Sequence, residues 1–376
     1  MISLDPALRY KIAFALLDEV PGVGIAHLHE LLRFYGSPEA FFNEKQSLLA
    51  RLKGIGPALA EHLATADLLR RADREMDFME RTGIRAFFFS DDDYPRRLRQ
   101  CPDAPLLFYY RGRTSLDAAH VISIVGTRKA TDYGRQMCKQ LVEDIARSLP
   151  SALIVSGLAY GIDGQANLAA VQASLPSVAV LAHGLHMIYP ASHRRLAVSL
   201  VESGGGVLSE FISGTKPDRF NFLRRNRSIA GLADAVVVVE SGLRGGSMNT
   251  AALTLSYDRE LFAFPGRATD AASAGCNLLI RSSRAALISS ADDLLHSLGC
   301  QTAPASATHS RNDNLDSLSE VEKEILSLLA RHPDGLDPNA LARLSGHAVS
   351  DLLPMLVQLE FDGRLRCLPG NIYKRN

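Results

Sequence analysis

The sequence lacks the closely spaced cysteines that mark a zinc site or a disulfide framework. Its five cysteines are scattered along 376 residues without a short paired spacing. We therefore predict neither a metal site nor disulfides, and we expect a reduced, cytoplasmic setting. The cysteines are Cys101, Cys138, Cys276, Cys300 and Cys367.

Long apolar runs and an excess of charge are also absent from the sequence. No apolar run reaches the ~20 residues that a membrane-spanning helix needs, and the N-terminus shows no signal-peptide pattern. The 41 basic and 41 acidic residues give a formal net charge of zero. We expect a soluble protein without membrane contact, in which any nucleic-acid site comes from a local cluster of cations.

Two common phosphate-binding motifs are missing as well. The sequence contains no Gly-x-x-x-x-Gly-Lys-Ser/Thr loop, and the six-residue dinucleotide glycine fingerprint does not follow the first strand of the central region. ATP hydrolysis and a bound cofactor are therefore not predicted.

The densest group of cations lies between Lys216 and Arg227. Five cations stand there against one acid, Asp218, with Phe220 and Phe222 among them. Cations neutralise phosphates, and aromatic faces stack on unpaired bases for about 1–3 kcal/mol each, so the segment suits single-stranded nucleic acid. The alternative is an arginine-rich helix start whose cations pair with neighbouring acids. The cations are Lys216, Arg219, Arg224, Arg225 and Arg227.

Residues 81–298 are predicted to form an α/β domain with a mostly parallel, doubly wound, Rossmann-like sheet. Continuously apolar runs such as Val121–Val125 and Val236–Val239 alternate with helical stretches such as Gly134–Ser148. This pattern is typical of strands that are covered on both faces. In such sheets, ligands bind beyond the carboxyl ends of the strands, where helix N-termini present free amides to phosphate. The other runs include Leu153–Val155, Val178–Ala182, Val207–Leu208 and Leu261–Phe264.

Arg128 stands at this edge, after Thr127 at the first turn, where its guanidinium can bind a phosphate through two hydrogen bonds. The alternative is an ion pair with Asp132 or Glu210 that only holds the loops. Three glycines would allow the backbone to approach a phosphate closely: Gly126, Gly157 and Gly246.

Residues 1–80 show apolar residues at helical spacing, interrupted by similar glycine-containing breaks at Val20–Gly24 and Leu52–Gly56. This pattern predicts a helical domain of helix-hairpin-helix or SAM-like type. Its glycines either bring helix amides to a DNA phosphate or serve only to pack the hairpins together.

The C-terminal part is predicted to be a linker at 299–316 followed by a winged-helix domain at 317–376. Ser319 is a plausible N-cap with Glu322 in capping-box register, and a hairpin-like pair closes the chain. Winged helices often contact duplex DNA. The segment Ser350–Leu359, at the position of a recognition helix, has few cations, which favours a protein-contact or lid role instead.

Six motifs follow one another along the chain: Ile124–Gly134, Ser156–Asp163, Ile188–Pro190, Leu208–Glu210, Phe222–Gly231 and Phe264–Gly266. In sequence and in order, they closely resemble the DNA-processing protein A family. The resemblance implies a homodimeric, non-enzymatic protein with an extended Rossmann-like domain that binds single-stranded DNA. It also implies loading of the RecA recombinase onto incoming DNA in natural transformation, with displacement or bypass of single-strand-binding protein.

The resemblance also implies roles for single residues. Arg128 and Lys216 would contact phosphates, and Phe222 would stack on a base. Three acids, Asp163, Glu210 and Glu240, are expected to hold the basic loops, the alternative being a catalytic role. The complete set expected at the DNA is Gly126, Thr127, Arg128, Ser156, Gly157, Lys216, Phe222, Arg225, Asn226, Arg227, Gly246 and Ser247.

One enzymatic alternative remains at the segment Gly245–Thr250. This segment is weakly similar to the Pro-Gly-Gly-x-Gly-Thr-x-x-Glu signature of the cytokinin-activating phosphoribohydrolases. These are Rossmann-like enzymes that cleave nucleoside monophosphates. The segment lacks the signature's proline and glutamate, so the binding protein remains the preferred interpretation.

Overall fold

The computed structural model describes residues 6–20, 23–43, 67–300, 319–332, 335–362, 364–368 and 371–375. The chain divides into two compact units, Met1–Ala303 and Pro304–Asn376. The second predicted hairpin break at 52–56, residues 21–22 of the first break and linker residues 301–316 lie outside the described ranges.

Helices form the first part of the larger unit. Their apolar sides pack on one another and on the sheet residues Phe88, Leu107 and Tyr109. Glu75 is buried and accepts hydrogen bonds from the backbone N–H, at 3.1 Å, and the hydroxyl of Ser213, in the loop after the sixth strand. The described helices are α1 (Pro6–Ala15), α2 (Ile25–Tyr35), α3 (Pro38–Asn43) and α4 (Leu68–Thr82).

A nine-stranded sheet with the order β1-β2-β6-β5-β4-β3-β7-β8-β9 forms the centre of the unit. Strands β3 to β9 pair in parallel, whereas β1 and β2 are antiparallel additions beside β6. The predicted mostly parallel, Rossmann-like sheet is confirmed. Its strands are β1 (Arg85–Phe88), β2 (Leu107–Gly112), β3 (Val121–Val125), β4 (Leu153–Ser156), β5 (Ser177–Leu181), β6 (Gly206–Ser209), β7 (Ala235–Val238), β8 (Glu260–Ala263) and β9 (Ala286–Leu287).

Helices cover both faces of this sheet, because alternate residues of each central strand point to opposite sides. On β3, Val121 belongs to the apolar core that contains Ile229, whereas Ile122 belongs to the core that contains Leu141. The helices are α5 (Arg96–Arg99), α6 (Asp132–Ser148), α7 (Ile162–Gln172), α8 (Arg194–Glu202), α9 (Arg219–Leu232), α10 (Gly246–Ser256), α11 (Ala274–Arg281) and α12 (Ala291–Ser297).

The strand order reverses between β3 and β7. The chain leaves β3 through α6 towards β4, and it leaves β7 through α10 towards β8 on the other side. The two loops therefore diverge and leave a crevice at the carboxyl edge, which is where open α/β sheets bind their ligands.

The second unit is the predicted winged helix, with three helices and an antiparallel strand pair. The Ser319 hydroxyl and the Glu322 carboxylate form the predicted capping box at the start of the first helix. A small apolar core joins the elements through Ile325, Leu341 and Leu356. The elements are α13 (Glu320–Arg331), α14 (Pro338–Ser345), α15 (Val349–Phe361), β10 (Leu365–Leu368) and β11 (Ile372–Arg375).

Across the described ranges of both units, no helix is long and apolar enough to cross a membrane.

Candidate nucleic-acid interface

A pocket of about 750 Å³ opens at the crevice between β3 and β7. Its walls are the loop after β3, the loop after β7 with the first turn of α10, and the first turns of α9. The volume lies in the ~300–1,000 Å³ range of small-molecule sites. Eight of the residues that we predicted for DNA binding line it: Gly126, Thr127, Arg128, Phe222, Arg225, Asn226, Gly246 and Ser247.

Arg225 is a buried cation in this pocket. Its side chain is 3% exposed, and its Nη1 lies 3.8 Å from Oδ2 of Asp163, which is beyond hydrogen-bonding distance. Its Nε and Nη1 have no hydrogen-bond partner among the described residues. Because arginine keeps its charge in proteins and buried donors are usually paired, these unmet N–H groups favour an anionic ligand.

Asp163 and Gly157 hold Arg225 in place. The backbone N–H groups of Gly126 and Gly157 lie near the Asp163 carboxylate and lower its pKa. A Cβ atom on Gly157 would collide with the guanidinium and with the carboxylate. Gly157 is therefore needed for packing within the protein and leaves no open space for a phosphate, unlike the role that we expected for it.

Burial shifts the pKa values of the two groups in opposite directions. It raises the pKa of Asp163, while the positive charge of Arg225 acts in the opposite direction. Burial also lowers the pKa of Arg225, and Asp163 again opposes the shift. Burial thus disfavours both charged forms, and an anion beside Arg225 would accept hydrogen bonds from its unpartnered N–H groups.

Arg128 and Phe222 meet at the pocket. The Arg128 Cζ lies 4.4 Å from the centroid of the Phe222 ring, and the Arg225 Cζ lies 5.6 Å from it, both within cation–π range. The Tyr189 ring approaches Phe222 edge-on at 6.1 Å. Arg128 itself is exposed.

The alternative role of Arg128 as a loop-holding ion pair is not observed. Within the described ranges, Asp132 pairs with Arg135, and Glu210 pairs with Arg227 and Arg224. Arg128 forms no ion pair with a described acid, so its charge remains available at the pocket.

Two helices begin at the pocket, and they differ in how their first turns are capped. The Asp218 carboxylate caps α9 by accepting the N–H of Phe220 at 2.8 Å. Helix α10 begins after Gly245 without a side-chain cap. Since uncapped first-turn amides attract anions, the start of α10 is the better phosphate site. Asn226 joins the two helices through its Nδ2, which donates to the Gly246 carbonyl at 3.2 Å.

Two other arginines of α9 form ion pairs with acids of the same chain. Arg227 is buried, and its Nε and Nη2 donate to Glu210 at 2.9 and 2.6 Å. Burial would lower the pKa of Arg227, but Glu210 and other acids raise it overall. Arg224 pairs with Asp18, which precedes α2. These two cations are thus paired within the protein, although their acids are distant in the sequence and not the neighbouring ones that the alternative assumed.

Four of the residues predicted for DNA binding do not line the pocket: Ser156, Gly157, Lys216 and Arg227. The buried Ser156 hydroxyl donates to the carbonyl of Ile124 at 2.6 Å. Lys216 is exposed and precedes Pro217, a pocket residue.

The predicted loop-holding acids are engaged as expected. Besides Asp163 and Glu210, Glu240 accepts the N–H of Thr131 at 2.8 Å and its hydroxyl at 2.5 Å, which fixes the start of α6. In the ranges that the structure describes, no group of three His, Cys, Asp or Glu side chains has the arrangement of a metal site.

Tyr189 and Arg244 also line the pocket, although neither was predicted as a site residue from the sequence. Tyr189 stands in the Ile-Tyr-Pro motif that we had already singled out. Arg244 lies in a glycine-rich loop directly after β7. Its position after the end of a strand could have predicted it as a site residue, because Arg128 was predicted from the equivalent position after β3.

Family models agree with this architecture. A model described as DNA recombination-mediator protein A matches residues 85–299, which is more than half of the chain. The chain belongs to the DNA-processing protein A family. A DprA winged helix domain matches residues 309–371, and a SAM-like helix-hairpin-helix tandem matches residues 14–66.

Individual members of the DNA-processing protein A family are similar over most of their length. A putative DNA processing protein DprA from Mycobacterium tuberculosis is 34% identical over 381 residues, covering 98% of this chain and 94% of the relative. Protein Smf from Escherichia coli is 35% identical over 283 residues, covering 74% of each chain.

Two solved structures of the family are also similar. DNA processing protein A from Streptococcus pneumoniae has a TM-score of 0.64 and 28% identity, covering 77% of this chain and 97% of that one. The protein from Helicobacter pylori has a TM-score of 0.51 and 29% identity, covering 57% of this chain and 95% of that one. The latter structure is described as giving insights into a single-stranded DNA binding mode.

Proposed function

We propose that this protein binds single-stranded DNA in the pocket between β3 and β7. The observation that carries the proposal is Arg225, a buried guanidinium in the pocket with two N–H-bearing nitrogens unpartnered among the described residues. The related protein from Helicobacter pylori, whose structure is described by its single-stranded DNA binding mode, supports this choice of ligand.

In this proposal the phosphates occupy the space between Arg225, Arg128 and the first turn of α10. Arg128 is exposed and has no described acid as a partner, and Gly246 and Ser247 open the uncapped helix. A Cβ atom on Gly246 would meet nothing closer than 3.8 Å, so a ligand could approach its backbone. Lys216 would contact a phosphate at the rim.

Phe222 provides the preference for unpaired bases. Its ring lies at the pocket, is only partly buried and has Arg128 close by. A base of a single strand can stack against this ring or against the Arg128 guanidinium, whereas the bases of a duplex are already stacked on each other. Ser156, Gly157 and Arg227 are assigned to support of the pocket rather than to contact with DNA.

At the level of the whole protein, we propose a recombination mediator that loads RecA onto incoming DNA in natural transformation and displaces or bypasses single-strand-binding protein. Family membership supports a role in DNA processing. The homodimer, the cytoplasmic location, the absence of catalysis and the domain boundaries at residues 80, 298 and 316 belong to the same proposal.

Titration of a labelled oligothymidylate tests the binding site. We expect Arg128→Ala and Lys216→Glu each to weaken binding, because each removes a cation available to phosphate. Arg111→Ala with Arg113→Ala should have little effect, since these exposed arginines flank the end of β2 where it pairs with the start of β6, at the opposite edge. Wild-type affinity in both site variants would refute the assignment.

Two further assays separate the mediator from other functions. RecA filaments should assemble faster on a strand coated with single-strand-binding protein when this protein is present, and Arg128→Ala should reduce the effect. Release of adenine from adenosine monophosphate would instead indicate a phosphoribohydrolase and would contradict the non-enzymatic proposal.

A further inference from the structure

A second group of exposed aromatic and cationic side chains lies next to the pocket. Tyr160 follows β4 and is 50% exposed, although its neighbour Ala159 lines the pocket. Arg194 and Arg195 begin α8, are both exposed and have no ion-pair partner among the acids that the structure describes. We call Tyr160, Arg194 and Arg195 the β4–β5 patch.

Contacts within the protein connect this patch to the pocket. The Tyr160 ring meets the His193 ring edge-on at 5.4 Å, and the His193 Nδ1–H donates to the Leu158 carbonyl at 2.9 Å. The segment that ends at His193 begins with Tyr189, whose ring reaches Phe222. Phe222 thus meets the first residue of the segment from Tyr189 to His193, and Tyr160 meets its last residue.

The patch and the pocket share one edge of the sheet. The pocket lies over the ends of β3 and β7, whereas Tyr160 follows the end of β4, the next strand, and Tyr189 follows β5. Neighbouring strands are about 4.8 Å apart, so a strand of DNA that crosses the strand ends would pass from one place to the other within a few nucleotides.

We propose that the β4–β5 patch is a second contact site for the same single strand, with Tyr160 stacking on a base and Arg194 and Arg195 contacting phosphates beyond the pocket. An isolated exposed tyrosine needs no explanation. Here it contacts His193, which directly precedes two cations that have no described acidic partner, at the sheet edge that also carries the pocket. This inference rests on the proposed binding of single-stranded DNA.

The patch predicts that the benefit of a longer oligonucleotide depends on Tyr160. The test compares oligothymidylates of about 4 and about 16 nucleotides, the ends of the usual range of single-strand site sizes. Tyr160→Ala should weaken binding of the longer strand about 5-fold or more, with little change for the shorter one. Tyr160→Phe keeps the ring and should bind both as the wild type does.

The arginines are tested in the same way. Arg194→Ala with Arg195→Ala should weaken binding of the longer strand and flatten its salt dependence, whereas the matched pair Arg111→Ala with Arg113→Ala should do neither. Thermal unfolding of every variant shows whether the fold is retained. If the double alanine variant unfolds at a lower temperature than the wild type, Arg194→Gln with Arg195→Gln takes its place.

The outcomes distinguish the two proposals. If the wild type binds both strands and Arg128→Ala weakens both, but the patch variants bind the longer strand normally, the patch is refuted and the pocket stands. An equal loss for both lengths in Tyr160→Ala would also refute the patch, because it would show an indirect effect on the pocket. If the wild type binds neither strand, the proposed function itself fails.

Discussion

Replacement of Arg225 by methionine is expected to affect stability and binding through different physical causes. The substitution removes the partner of a buried carboxylate, and removal of one member of a buried ion pair typically costs about 3–5 kcal/mol. The lower end applies here, because the two charged groups are 3.8 Å apart and backbone N–H groups also contact Asp163. Urea unfolding should therefore show a loss of about 3 kcal/mol.

Binding should weaken for a separate reason. Hydrogen bonds between ionised groups contribute about 1.5–3 kcal/mol each, so loss of the guanidinium should reduce affinity for oligothymidylate on the order of 10- to 100-fold. Titration of the folded protein in urea-free buffer at low temperature measures this change independently of the unfolding experiment.

A second substitution separates the two effects. Asp163→Asn in the Arg225→Met background removes the unpaired charge and retains an oxygen that accepts the backbone N–H groups. Most of the lost stability should return, whereas binding should stay weak. A double variant with wild-type affinity, or Arg225→Met with wild-type stability at neutral pH, would refute the role of Arg225.

The destabilisation should also depend on pH. Burial raises the pKa of Asp163 in the folded protein, and loss of Arg225 should raise this pKa further. A carboxyl with a raised folded pKa favours folding below its unfolded pKa, near 3.9, and this contribution is lost as the pH rises through the folded pKa. The deficit of Arg225→Met should thus be largest at neutral pH and shrink as the pH falls towards about 4.

Three further results are expected. Phe222→Ala should weaken oligothymidylate binding by about 1–3 kcal/mol through lost stacking, and an unchanged affinity in a titration would exclude stacking on this ring. If Arg128, Lys216 and Arg225 each neutralise one phosphate, log K should fall with log salt at a slope of about −2, and Arg128→Ala should reduce its magnitude by about 0.7, whereas an unaltered slope would place Arg128 away from phosphate. Asp218→Ser keeps an N-cap residue but removes a negative charge from the pocket wall, so binding should tighten by up to about 1 kcal/mol, and weaker binding would contradict this reasoning.

The parallel strands could be predicted from the sequence because both of their faces are covered. Runs such as Val121–Val125 are apolar throughout and end in glycine or polar residues, which marks each strand and its ligand-binding end. The antiparallel strand Leu107–Gly112 was not predicted, since its pairing with β6 depends on a distant segment. The two exposed residues of β9 give almost no pattern.

The basic segment was predicted as a unit, but the structure divides its cations. Successive residues of a helix point about 100° apart, so Arg224 and Arg227 face acids while Arg225 reaches the pocket. The acids come from positions far away in the chain, such as Asp18. Spacing within the segment carries no information about such partners. For the same reason, the sequence could not show that Arg128 forms no ion pair with a described acid.

The contacts of Asp18 and Glu75 make the first helices part of the support for the pocket. A chain shortened to begin at β1 would deprive Arg224 of its carboxylate partner and would release the loop at Ser213. It would also uncover the apolar side of the sheet's antiparallel edge, including Tyr109. Trimming this protein to its central domain would thus alter the helix that carries Phe222 and Arg225, so affinities measured on such a fragment would not describe the intact chain.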